Sequence, residues 1–137
     1  MDSKSLSHTR WNCIYHIVFI PKYRRKVMFG GVRKDMQEII KKLCQFKQVE
    51  ILDGSIGSDH IHICVSIPPK ESVSGFMGYL KGKSALMIFD KYPQARGGDR
   101  HFWARGFYVD TVGRDEEKIR QYIQNQTEAD RIEDRQR

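Results

Sequence analysis

The sequence predicts an α+β fold of the ferredoxin-like or RRM-like kind. In this reading an antiparallel βαββαβ sheet carries its two main helices on one face, and a further helix follows at the C-terminal end. Three observations lead there. Short β-branched and aromatic runs alternate with longer segments of helical spacing. Two strand-like segments, 49–56 and 59–67, follow each other directly, with Gly57 and Ser58 as a tight turn between them. The 137 residues, 39% hydrophobic and 30% charged, suit one domain with a real core and a wet surface.

Residues 14–20 form the first strand, and Pro21 ends it. Arg33 to Phe46 places Met36, Ile39, Ile40, Leu43 and Phe46 at helical spacing. Val49 to Ile56 and Asp59 to Ile67 are the paired strands, and Pro68 with Pro69 stops the second. A second helix spans Ser72 to about Lys91, buried through Val73, Phe76, Met77, Leu80, Ala85, Met87, Ile88 and Phe89. Residues 92–100 read as a loop because of Pro93, Gly97 and Gly98. Short strands are expected at His101–Trp103 and Phe107–Val112, and a last helix from about Asp115 to Thr127. The whole chain, 1–137, then divides into a sheet-and-helix core (11–112), a C-terminal helix (114–127) and a flexible polar tail (128–137).

Charge and cysteine content narrow the function classes. The 24 Lys and Arg against 17 Asp and Glu leave a net charge of +7 and a pI of about 9.4, so an anionic partner such as nucleic acid is expected. No apolar run approaches the roughly 20 residues of a bilayer span. The first residues lack the apolar stretch of a secretory signal, so a cytoplasmic location is expected and no membrane partner. Cys13, Cys44 and Cys64 are odd in number and unevenly spaced, unlike a disulfide framework.

The strand 59–67 is the most informative segment. Side chains alternate along a strand, so Ile61, Ile63, Val65 and Ile67 face the helices. His60, His62, Cys64 and Ser66 face the open side, where the two imidazoles are close enough to chelate one metal ion. A pair of surface histidines is the plain alternative. A structural zinc site through Cys64 lacks a second cysteine at matching spacing. In the last helix, Ile119, Tyr122, Ile123 and Gln126 form one stripe. If that helix docks across the open face, Gln126 becomes a third ligand and the Tyr122 hydroxyl lies beside the metal. His16 reads as a core histidine or a support to the ligands. The basic run Lys22, Tyr23, Arg24, Arg25 and Lys26 is the candidate grip on DNA backbone, with Tyr23 as a stacking face and Lys81 and Lys83 extending the surface. Arg96, Arg100 and Arg105 are further candidates.

Several blocks together resemble the single-tyrosine HUH transposases of small bacterial and archaeal insertion sequences, the insertion-sequence-200-like group. They are His16 to Lys26 (HIVFIPKYRRK), Gly57 to Pro69 (GSDHIHICVSIPP) and Ser72 to Ser84 (SVSGFMGYLKGKS). Phe102 with Trp103, Gly106 to Gly113 (GFYVDTVG) and Ile119 to Gln126 (IRQYIQNQ) complete them. One departure is the approach Gly57, Ser58 and Asp59, where many members have a Met-Pro-Asp-like sequence, and the C-terminal tail carries no family feature. The resemblance implies a DNA transposase that cleaves and rejoins single-stranded transposon ends, with single-stranded DNA carrying a hairpin at those ends as its partner. It implies Tyr122 as nucleophile, His60, His62 and Gln126 as ligands of a divalent ion, Mg2+ or Mn2+, and a phosphotyrosine intermediate. It also implies a homodimer with shared active sites, in which Gly113 is the hinge that sends the tyrosine helix to the partner.

The chemistry is consistent with those residues. A free phenol has a pKa near 10, so only about one in a thousand is ionised at pH 7, and a nearby cation favours the anion. Two histidines and a glutamine are neutral ligands and leave the ion its full charge for a phosphoryl oxygen. A phosphotyrosine retains the energy of the broken ester, so rejoining needs no nucleotide cofactor. Two other functions compete: a domesticated relative that processes repeated genomic hairpins, and a non-catalytic RRM-like nucleic-acid-binding module. Such a module stacks bases on strand aromatics, where this chain has histidines.

Overall fold

The computed structural model describes residues 4–6, 9–11, 13–95, 101–111 and 116–135. Strands β1 (Lys4–Leu6) and β2 (Thr9–Trp11) pair as a small antiparallel hairpin that periodicity did not signal. Strand β3 (Ile14–Phe19) is followed by helix α1 (Gly30–Phe46), strands β4 (Glu50–Ile56) and β5 (Ile61–Ser66), and helix α2 (Val73–Lys91). Strand β6 (Tyr108–Asp110) and helix α3 (Glu116–Arg135) complete the order. The main sheet runs β4-β5-β3-β6, antiparallel throughout. This is the expected α+β sheet, with His16 on β3 and His62 on β5, the two central strands.

Register explains the two faces. Ile17 stands opposite Ile63, Phe19 opposite Ile61 and Tyr15 opposite Val65. This face packs under Met36, Ile39, Ile40 and Leu43 of α1 and Phe76, Met77, Leu80 and Ile88 of α2, all in one core. Each such side chain contributes roughly 1.5–3 kcal/mol of burial. The other face carries His16 opposite Cys64 and Val18 opposite His62. Tyr108 and Asp110 extend it from β6, opposite Val18 and His16. On β4 a bulge between Ile51 and Asp53 reverses the side-chain parity, so Ile51 pairs with Val65 while Asp53 and Ser55 pair with Cys64 and His62.

Element ends differ from the sequence reading where tertiary contacts decide them. Helix α1 begins at Gly30, whose φ is +47°, before the first apolar repeat. A Cβ on Gly31 would lie 2.8 Å from the Tyr92 hydroxyl, so close packing rather than propensity fixes that start. Ser72 caps α2, its Oγ accepting from the Gly75 amide at 3.0 Å. The strand expected at 101–103 is instead a single bridge between Trp103 and Pro21, flanked by amide-to-carbonyl bonds from Lys22 to Phe102 and from Ala104 to Ile20. The polar segment expected as a flexible tail continues α3 to Arg135. Gly113, the expected hinge, lies outside the described residues, as do Arg96 and Arg100.

Candidate active site

The open sheet face is not bare. Val18 points to it and is fully buried. Helix α3 lies over this side: the Tyr122 ring rests on Tyr108, with centroids 6.0 Å apart, and Tyr108 is the neighbour of Val18. Tyr122 and His62 therefore share one face of one sheet. His62 is buried, and its ring centroid is 5.6 Å from that of His16. His16 belongs to the histidine face, which the β3–β5 register settles and strand parity alone could not.

On this face His16 Nδ1 and Tyr122 Oη are enclosed without a hydrogen-bond partner. Buried polar groups are normally satisfied, so such atoms point to a ligand or a change of state. The Tyr122 phenol is pushed well above its ordinary pKa, first by burial and then by the Asp130 carboxylate. In this arrangement it holds its proton.

Asp130 organises the helix side. It is 1% exposed, and its Oδ2 accepts from the Tyr23 amide at 3.0 Å. Gln126 donates to Asp130 Oδ1 at 3.4 Å, so its amide is turned along the helix. Thr127 is buried and donates to the Ile123 carbonyl at 3.0 Å. The Asp130 contact holds a turn in which two non-glycine residues, Tyr23 (φ 62°) and Arg24 (φ 53°), occupy the left-handed region.

His60 lies at the other margin of the site, just before β5. Its Nδ1 is 2.9 Å from Asp59 Oδ1, and Asp59 Oδ2 is 3.6 Å from Arg24 Nε. A cleft of about 520 Å3 opens at His60, lined by Arg24, Asp59, Arg120, Gln121, Ile123 and Gln124. Helix α3 thus presents Arg120, Gln121 and Gln124 towards His60, while Tyr122 and Gln126 lie on its Tyr108 and Asp130 side. Among the described residues no three His, Cys, Asp or Glu side chains converge as a ready-made metal cluster.

The basic residues divide into buried and surface groups. Lys22 is 2% exposed, which corrects its reading as a phosphate contact on the surface. Lys81 is likewise corrected: its Nζ donates to the carbonyls of Ala104 at 2.6 Å and Gly106 at 2.7 Å. Desolvation lowers the Lys81 pKa to about 8, against a smaller opposing effect of Asp130. Arg24 pairs with Asp59, and Arg25 Nε donates to the Lys22 carbonyl at 3.2 Å. Tyr23 is half-buried with its hydroxyl enclosed, so only part of its ring is open to a base. Lys26 and Lys83 are exposed. Asp59, Asp130 and Asp53 were not among the residues singled out from sequence. Gly54 within β4 was the available sign of the bulge that turns Asp53 to this face.

Comparisons with known proteins agree with this architecture. The family model described as "Transposase IS200 like" matches residues 9–126. The transposase for insertion sequence element IS200 of Salmonella typhimurium is 53% identical over 133 residues, spanning 96% of this chain and 88% of its own. A crystal structure of a Deinococcus radiodurans protein assigned as a transposase superposes with a TM-score of 0.82 at 25% identity, over 90% of this chain and 96% of that one. A REP-associated tyrosine transposase bound to a REP hairpin shares the fold, with a TM-score of 0.56 and 13% identity over 81% of this chain and 62% of that one. With its central histidine strands, covered sheet face and tyrosine helix, the chain belongs to the IS200-like transposase family.

Proposed function

We propose that this transposase cuts and rejoins single-stranded DNA at the ends of its element through a phosphotyrosine on Tyr122, and that His60, His62 and Gln126 hold a divalent ion, Mg2+ or Mn2+. The observation that carries the proposal is the placement of Tyr122 and His62 on one sheet face, with the Tyr122 hydroxyl and His16 Nδ1 enclosed and unpartnered beside it. The donor set fits a divalent ion. Two neutral imidazoles of like parity are available, and Gln126 offers an amide oxygen once its amide leaves Asp130. When bound, the ion supplies positive charge beside the scissile phosphate.

The chain's own residues do the rest. Tyr122 must first leave its buried seat, since burial and Asp130 keep it protonated there. Its oxygen then attacks phosphorus as the phenolic proton departs. The phosphorus–oxygen bond to the neighbouring sugar breaks, and that oxygen takes up a proton as a free hydroxyl. Rejoining is the same exchange in reverse with a new end. Lys26 and Lys83 are among the exposed cations suited to backbone phosphates. Three further readings belong to this proposal: a homodimer in which Tyr122 serves the partner's histidines, hairpin recognition at the ends, and action in the cytoplasm. A hairpin-bound relative of the same fold supports the second, and the identity with insertion-sequence transposases supports a mobile element over a domesticated one.

The test is incubation of the protein with labelled single-stranded DNA carrying candidate ends, with and without Mn2+, followed by a denaturing gel. A covalent adduct that needs the metal and an unpaired strand is expected. Equal cleavage of fully paired duplex, or binding without any adduct, would overturn the proposal.

A further inference from the structure

We propose that Asp59, anchored by Arg24, is the positioning residue for His60: it fixes which imidazole nitrogen is left free to act. A carboxylate only accepts hydrogen bonds, so the 2.9 Å contact with Asp59 Oδ1 makes His60 Nδ1 the donor. The proton of the neutral ring is thereby assigned to Nδ1, and Nε2 keeps the lone pair. Two further observations converge on the same ring. Arg24 Nε lies 3.6 Å from the other Asp59 oxygen, which limits rotation of the carboxylate. Gly57 leaves the space in which the ring lies, because a Cβ there would be 2.5 Å from His60 Cε1. The ring is held by hydrogen bonding at one edge and by the shape of the turn across its face.

The arrangement gives Arg24 a role beyond its charge. It occupies the left-handed region in a turn that the Tyr23 amide ties to Asp130 of α3. Seating of the tyrosine helix therefore reaches His60 through Tyr23, Arg24 and Asp59, a continuous series of contacts. Partners that orient a ligating histidine commonly matter 10- to 100-fold for metal affinity.

The proposal deepens the reading of His60 as a metal ligand and rests on it, but ring orientation can be measured without metal. Long-range 1H–15N spectra of the 15N-labelled full chain, recorded at alkaline pH without metal, report the His60 tautomer. Mn2+ titration followed by electron paramagnetic resonance reports affinity. The native chain is expected to show Nδ1–H. Asp59→Ala should convert the ring towards Nε2–H and weaken Mn2+ binding by roughly 10- to 100-fold. Asp59→Asn should restore Nδ1–H and most of the affinity, because its amide oxygen also accepts. An Nε2–H native ring, or no change in Asp59→Ala, overturns the proposal. If Asp59→Asn restores the tautomer but not the affinity, Asp59 is itself a ligand and the positioning role is wrong. If the native chain binds no Mn2+ while the tautomer follows Asp59 as described, the metal reading fails and the positioning role stands.

Discussion

Replacing Gly57 with alanine separates the shape of the site from the stability of the fold. The added Cβ would lie 2.5 Å from His60 Cε1, 2.9 Å from Nδ1 and 3.1 Å from Nε2, where ordinary contact begins at 3.4 Å. The backbone at Gly57 is not in the left-handed region, so alanine itself is tolerated there. The imidazole must then retreat by about 0.9 Å, through a side-chain rotation of about 30°, costing roughly 0.5–1.5 kcal/mol. Lost freedom of the unfolded chain works the other way by about 0.4–1 kcal/mol. The two nearly cancel, so the melting temperature should move by no more than about 4 °C. Function should not be spared: a displacement near 1 Å at the reacting centre costs on the order of 100-fold in rate. The assay pairs thermal melting with single-turnover adduct formation on single-stranded DNA in Mn2+. A variant that melts normally and cleaves at the native rate would show that the ring is not held against this turn.

Other perturbations test separate parts of the account. Lys81→Met strips a charged donor from two carbonyls and should cost about 2–4 kcal/mol in urea unfolding; a native midpoint would show that those bonds do not hold the 104–106 segment. Because the folded Lys81 pKa of about 8 lies below its unfolded 10.5, the unfolded chain binds more protons between these values, so its contribution to stability rises with pH across that window and is lost in Lys81→Met. Tyr122 has the opposite sign: its folded pKa is raised, the folded chain keeps the proton, and stability falls as pH climbs above 10, a decline that Tyr122→Phe should lessen in alkaline denaturation. For a shared site, Tyr122→Phe and His60→Ala proteins, each inactive, should regain part of their cleavage when co-expressed, whereas a linked dimer with both lesions in one subunit should not; an active linked dimer with dead mixtures places the helix on its own sheet.

How much the sequence reveals follows from which forces act locally. Alternation in residues 61–67 is a local signal, and the isoleucine face is buried as read. The position of α1 and α2 follows from repeats that must be buried somewhere. What escaped depends on contacts distant in the chain. The end of α3 is polar, so periodicity stops at Thr127, yet a buried Asp130 bonded to the Tyr23 amide anchors the helix beyond it. Lys22 and Lys81 look like surface cations because lysine usually is one. One is enclosed and the other serves backbone carbonyls released by an irregular segment, and neither circumstance has a local pattern. Face assignment for His16 needed strand register, and Asp53 needed a bulge. For the histidines themselves, chemistry and alternation are enough to choose the strand, but the hydrogen bond at His60 Nδ1 comes from the residue beside it, Asp59, which the sequence reading takes only as the first residue of that strand.

The most direct measurement of the central claim is the mapping of the covalent adduct. Protein trapped on single-stranded DNA in Mn2+ is digested with nuclease and trypsin, and the nucleotide-bearing peptide is identified by mass spectrometry. A single modified peptide is expected, Gln121 to Arg131, with the nucleotide on Tyr122 and none in the Tyr122→Phe protein. A nucleotide on Tyr23, Tyr108 or another residue, or an adduct that persists in Tyr122→Phe, would contradict it.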